Sequence, residues 1–383
     1  MKRWLARIAP VLVLVACSGG EGDGDSGAGA DGSTGDGGAR RDAGLSFDGG
    51  LGCVAALPVD LLFVIDDSDS MSEEQANLIS NFPELIEVLT TPPDDDGDGE
   101  PDLPPVEDLR IGLVSTNMGV GPYTVVGCDA TGDQGALITS SRSVDPMCAG
   151  VTTGAHPWLE FHLGDDVDAL SQTFRCMAAL GTGGCGLERQ LDSARAALVD
   201  RAAAGEPNEG FIRGDSLVGI LFVTDEDDCS AADDSIYDPA AGGTLGPYGV
   251  RCAENPSLLT PVREYVDAFQ NLRLDRHNDV VVAAITGVPF SAVADPLDED
   301  YDALLLDSRM QFRRDPGRPG QLEPACTTMF TGSAIPARRI VEVVGAFAET
   351  RDGLATTICE NDLRPAMNAV ARLVARRICP PPI

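Results

Sequence analysis

Residues 59–71, VDLLFVIDDSDSM, decide how the rest of the chain is read. The run from Leu61 to Ile65 is continuously apolar and bounded by aspartates. A short run of Leu, Phe, Val and Ile suits a strand buried on both faces of a parallel sheet. It breaks into five residues that all carry side-chain oxygen: Asp66, Asp67, Ser68, Asp69 and Ser70. After Met71, Ser72-Glu73-Glu74-Gln75 fits a capping box, so a helix is expected to follow. The unit reads as strand, oxygen-rich loop, helix. In an extended turn the alternating Asp66, Ser68 and Ser70 can point the same way. Hard cations such as Mg²⁺ take carboxylate and hydroxyl oxygen, few protein ligands and some retained water. A βα loop with a solvated acidic edge would read the same.

Working outward, residues 216–224 (SLVGILFVT) form a second apolar run, followed by Asp225, Glu226, Asp227 and Asp228. Asp225 stands where its strand runs out, as Asp66 does. The three acids beyond it read either as support for a cation or as a solvated acidic turn. Residues 109–117 (LRIGLVSTN) and 279–286 (DVVVAAIT) are further strands, and 135–141 (GALITSS) a short edge strand. Helical spacing predicts helices over 72–90, 166–180, 187–204, 257–272, 337–348 and 362–378. Pro83 predicts a kink or break in the first, and Asp165 or Asp166 caps the second. Strands alternating with helices imply an α/β fold: a doubly wound, mostly parallel sheet flanked by helices. In such a sheet ligands sit at the carboxyl ends of the strands, where the strand order reverses.

A strand ending in D-x-S-x-S and followed by a helix resembles the first loop of the metal-ion-dependent adhesion site (MIDAS) of von Willebrand factor type A domains. The resemblance implies a Rossmann-like sheet of order 3-2-1-4-5-6 spanning residues 51–383. It implies that Ser68 and Ser70 bind Mg²⁺ or Mn²⁺ directly, with Asp66 supporting. A second loop should supply a threonine. Thr182, in the turn 181–186 (GTGGCG) before a helix, is favoured, and Thr116 is the competing candidate. Asp225 resembles the aspartate of the third loop. In family terms the domain serves adhesion, and its protein partner offers a carboxylate to the open metal position.

Residues 92–105 (PPDDDGDGEPDLPP) form an acidic insertion in which Asp94, Asp96, Asp98, Gly99 and Asp102 fit D-x-D-x-D-G-x-x-D. This resembles the calcium loops of thrombospondin type-3 repeats and the first half of an EF-hand loop. Alternate aspartates can converge on Ca²⁺, and glycine permits the sharp turn. Pro105 stands where an EF-hand has its bidentate glutamate.

Residues 1–16 read as an export signal: Lys2, Arg3 and Arg7, then the apolar 8–16, too short to span a bilayer. Leu14-Val15-Ala16-Cys17 resembles a bacterial lipobox, which implies cleavage before Cys17 and lipidation of that cysteine. Residues 18–50, almost all Gly, Asp, Ser and Ala, cannot bury enough apolar surface to fold. Residues 17–50 therefore read as a lipidated cysteine with a flexible tether, reaching about 30 Å. The chain's net charge is −34, and losing the signal's three positive charges makes it −37. Such a chain does not bind nucleic acid through phosphates, and the membrane is met only through the lipid. The expected place is the cell envelope, at the outer membrane.

Ten cysteines remain after Cys17, an even number that suggests a disulfide framework. Locality favours Cys176–Cys185, Cys229–Cys252, Cys128–Cys148 and Cys326–Cys359, leaving Cys53–Cys379 to join the domain's ends. The cysteines and insertions resemble secreted lipoproteins of bacteria with large genomes, myxobacteria especially. No H-E-x-x-H or G-x-S-x-G motif occurs. His156, His162 and His277 sit in no catalytic pattern. The expectation is a binding module and not an enzyme. The alternatives are a structural envelope protein whose metal site does not function, or a hydrolase.

Overall fold

The structure is a computed structural model. It describes residues 56–379, apart from 95, 96, 98, 100, 275, 277, 278, 291–298 and 329–331. The expected signal, lipidated Cys17 and tether, together with Cys53, Asp96, Asp98 and His277, lie outside the described residues.

The strands are β1 (Val59–Ile65), β2 (Asp108–Ser115), β3 (Leu159–His162), β4 (Leu217–Val223), β5 (Val280–Thr286), β6 (Arg314–Asp315), β7 (Arg318–Leu322), β8 (Cys326–Thr327), β9 (Ser333–Ala334) and β10 (Gly353–Thr357). The helices are α1 (Ser72–Thr90), α2 (Val167–Ala178), α3 (Gln190–Arg195), α4 (Gly242–Leu245), α5 (Tyr248–Glu254), α6 (Val262–Gln270), α7 (Tyr301–Leu306), α8 (Arg338–Ala348) and α9 (Arg364–Ala375). Six strands form one sheet in the order β10-β5-β4-β1-β2-β3. All neighbours are parallel except β2 and β3. β6–β7 and β8–β9 are small antiparallel pairs outside it.

Every residue of β1, β4 and β5 is buried, which is why their sequences read as unbroken apolar runs. Leu61, Phe63 and Ile65 face a core shared with α1, α2 and α9. Leu62 and Val64 face a second core, shared with α3, α6 and α8. On the first face Phe82 of α1 stacks on Phe174 of α2, and Phe63 meets both rings edge-on.

Several local expectations need correction. Residues 135–141 do not form a strand. The segment is a loop, tied to β2 by Ile138 N–H donating to Leu113 O (2.9 Å), with Leu137 and Ile138 buried in opposite cores. The edge strand is β3, whose four residues alternate buried and exposed. α1 runs through Pro83 without a break, because its apolar face is held by packing against α9 and α2 while Pro83 itself faces solvent. Ser72 does not cap α1, and Met71 occupies the N-cap with no side-chain hydrogen bond. Asp166 does cap α2, accepting from the amides of Asp168 and Ala169.

The cysteines need correction too. Cys128 bonds Cys185 and Cys148 bonds Cys176, exchanging the partners expected from locality. The turn at Pro146–Cys148 docks on α2, where Arg175 pairs with Asp145 and Ser141 Oγ donates to Cys176 O. That brings Cys148 to Cys176 and leaves Cys185 facing Cys128, with Cα atoms 5.1 and 4.3 Å apart. Cys229–Cys252 and Cys326–Cys359 are as expected. Cys379 is disulfide-bonded. Among the described residues no helix is long and apolar enough to cross a membrane.

Candidate metal centre

The chain leaves β1 for β2 on one side and later returns to lay β4 on the other. The strand order therefore reverses between β1 and β4, and the carboxyl ends of both strands open into one crevice. Ile65 pairs in register with Val223, so Asp66 emerges beside Thr224, with Asp225 one residue beyond, from strands far apart in sequence.

The first loop folds over its own aspartate. Asp66 Oδ1 accepts from Ser68 N–H (2.8 Å), and Asp66 Oδ2 accepts from the Thr224 hydroxyl (2.6 Å). Ser68 Oγ lies 3.2 Å from Ser70 Oγ, and Ser70 Oγ donates to Asp225 Oδ1 at 3.2 Å. Asp66, Ser68 and Asp225 are buried, while Ser70 is exposed at the mouth. Four of the five expected site residues thus form one hydrogen-bonded set.

The turn 181–186 is stitched to this loop. Gln75 Nε2, from α1, donates both to Asp66 O (2.8 Å) and to Gly181 O (2.9 Å). Gly184 N–H donates to Asp67 O at 2.8 Å. A Cβ at Gly184 would sit 2.6 Å from that carbonyl oxygen, so the approach requires glycine. Thr182 lies in this turn, half-buried. Thr116, at the end of β2, is buried with its hydroxyl unpartnered, and its carbonyl accepts from Arg189 N–H. Both threonines remain candidates for the second loop's contribution.

The electrostatics are lopsided. Among the described residues no basic side chain pairs with Asp66 or Asp225. Burial pushes the Asp66 carboxyl up. Burial, then the neighbouring Asp66 and Glu226, push Asp225 up to about 9. Burial raises Asp67, Glu74 and Glu226 to about 7 each, with Asp66 adding to all three. Asp67 Oδ1 and Glu74 Oε2 are buried without a hydrogen-bond partner. Asp67 has a counter-charge in Arg142 at 4.0 Å, whereas Asp66 and Asp225 have none among the described residues, and buried carboxyls in that position hold either protons or a cation.

Among the described residues no cluster of three or more His, Cys, Asp and Glu forms a ready metal cage. The donor set is instead two carboxylates, Asp66 and Asp225, with the hydroxyls of Ser68 and Ser70. Few protein oxygens, some exposed, suit a hard cation that keeps part of its water. Bound there, such an ion would neutralise the carboxylates and present an open position to an incoming oxygen.

Sequence reading missed Gln75, Thr224 and Gln190. Gln190 Nε2 donates to the Thr224 hydroxyl at 2.9 Å, which fixes that hydroxyl's proton on Asp66. Gln75 was legible only as half of a capping box that does not form. Asp227 and Asp228 are not a solvated turn. Asp227 accepts from Arg339 N–H at the start of α8, and Asp228 pairs with the Arg339 guanidinium at 3.0 Å. At the acidic insertion, Asp94 accepts from the amides of Gly97 and Gly99, and Asp102 N–H donates to Pro93 O.

No family model matches the chain, and no curated protein matches it. Three of the solved structures that match the chain do so with low similarity. Proximal thread matrix protein 1 from the mussel byssus is 11% identical, with a TM-score of 0.27, over 61% of this chain and 38% of its own. The PilB minor pilin of Streptococcus sanguinis is 9% identical, with a TM-score of 0.33, over 85% and 62%. The human COPII-coat protein Sec24c is 12% identical, with a TM-score of 0.25, over 61% and 27%. The chain spans less than two thirds of each.

Proposed function

We propose that residues 51–383 form a von Willebrand factor A-like binding domain that captures a protein partner through a divalent cation. Ser68, Ser70, Asp66 and Asp225 hold the ion, with Thr182 or Thr116 completing the shell. The chain is carried to the cell envelope by its signal and anchored by lipid on Cys17. One observation carries the reading. Two loops 155 residues apart in sequence meet through Ser70 Oγ and Asp225 Oδ1, beside a buried, uncompensated Asp66, where the strand order reverses. The sheet order β3-β2-β1-β4-β5-β10 also follows the order that the resemblance implies. The cation supplies the local positive charge that lets a strongly acidic protein attract a partner's carboxylate. Isothermal titration of Mg²⁺ or Mn²⁺ tests the assignment. Wild type should bind one ion at this site, and an Asp66→Ala, Ser68→Ala double variant should lose it. Equal binding by both proteins sinks the reading.

A further inference from the structure

Beside the metal loops lies a cavity of about 330 Å³, between the turn after Cys185, the segment after β4, α5 and the start of α8. Its walls are largely apolar, with Leu187, Tyr248, Val250, Phe312, Leu322 and Ile335 among them. Four acids of the adjoining loops also line it: Glu188, Glu226, Asp227 and Asp228.

These acids divide into two kinds. Asp227 and Asp228 are engaged by Arg339. Arg338, the other basic lining group, turns its guanidinium to the carbonyls of Leu305 and Met310. Among the described residues Glu188 and Glu226 have no basic partner. The charged groups acting on Glu188 are the carboxylates of Glu226 and Asp66. Glu188 is 1% exposed and its Oε1 has no hydrogen-bond partner. A carboxyl pair closed into an apolar pocket without a cation is costly to fold. The expense is offset when a ligand brings the missing charge.

We propose that this cavity is a binding site for a primary ammonium group carried on an apolar stem, such as an alkylamine or a lysine side chain. The stem lies along the apolar wall and the ammonium meets the Glu188–Glu226 pair. Ammonium fits better than guanidinium. Glu188 has one oxygen free, whereas a guanidinium fork is best matched by both oxygens of one carboxylate. The site requires no metal, so it stands or falls separately from the adhesion-site reading.

The test is calorimetric titration of the full chain with divalent ions chelated, using n-hexylamine, 1-hexanol and Nα-acetyl-lysine methylamide. Hexylamine should bind at least tenfold more tightly than hexanol. Glu188→Gln, which keeps the shape and removes the charge, should lower hexylamine affinity at least tenfold. Ala253→Phe, at a half-buried position on the cavity wall, should abolish binding while leaving Mg²⁺ titration unchanged. Binding of the lysine derivative as well assigns the site to protein side chains, and binding of hexylamine alone assigns it to free amines. Hexylamine binding no better than hexanol overturns the proposal. So does unaltered hexylamine binding in a folded Glu188→Gln or Ala253→Phe protein.

Discussion

Asp60 and Asp66 occupy the two ends of β1, and the difference between them separates structural from functional acid. Asp60 is fully buried, yet it accepts from Arg213 N–H (2.7 Å), from Arg213 Nε (2.8 Å) and from the Ser216 hydroxyl. Asp66 is as deeply buried and is met only by neutral donors. Removing a partner from a buried ion pair leaves an uncompensated charge, typically about 3–5 kcal/mol. Arg213→Ala should therefore lower unfolding stability by roughly that amount in urea titration, with Mg²⁺ affinity unchanged in what remains folded. Gln75→Leu should behave differently. It strips the donor from the exposed Gly181 carbonyl and from the buried Asp66 carbonyl, where an unsatisfied buried group costs about 1–3 kcal/mol. It should also weaken Mg²⁺ binding by loosening the first loop from the turn that carries Thr182. The acids of this site were legible because D-x-S-x-S and an aspartate where an apolar strand runs out are local patterns. Gln75 and Gln190 were not, because their roles exist only once α1 and α3 have packed against the loops.

At the scale of elements, legibility followed burial. β1, β4 and β5 declared themselves because parallel strands covered on both faces must be apolar throughout. β10 (GLATT) was missed because it is short and all of it but Leu354 is small or hydroxylated, although all five residues are buried. β3 was missed because four residues carry only two cycles of alternation. α1 shows packing overruling a local breaker. Pro83 withholds one backbone N–H from the helix, but the face bearing Leu78, Phe82, Leu85 and Leu89 is fully buried. Because Pro83 is exposed, Pro83→Ala restores the hydrogen bond without opening a cavity. It should stabilise the protein by about 1–3 kcal/mol, given proline's disadvantage in helix interiors, seen as a raised urea midpoint at constant slope. Phe174→Ala should have the opposite effect. It removes a ring stacked on Phe82 and edge-on to Phe63, at a cost of about 3–5 kcal/mol.

Across the whole molecule, the disulfides show where distance along the chain misleads. Cys128 and Cys148 close the same insertion, as Cys176 and Cys185 close the same turn, so nearest-neighbour pairing looked natural. The fold instead crosses the two pairs, tying the insertion to α2 at one end and to the turn 181–186 at the other. The exchange changes which bridge supports the candidate metal centre. Cys128–Cys185 anchors the turn whose Gly184 N–H donates to Asp67 O, whereas Cys148–Cys176 anchors the last turn of α2, before that turn begins. Each bridge restricts the unfolded chain, and each should contribute about 2–4 kcal/mol. Stability alone therefore does not distinguish them, but metal affinity should. Cys128→Ser, Cys185→Ser should lower both the urea midpoint and the affinity for Mg²⁺. Cys148→Ser, Cys176→Ser should lower the midpoint comparably and leave Mg²⁺ affinity within twofold of wild type. Calorimetric titration of the two double variants, each checked for native circular dichroism first, separates the roles. Equal loss of metal affinity in both would mean that the turn is positioned by the fold as a whole and not by its own bridge.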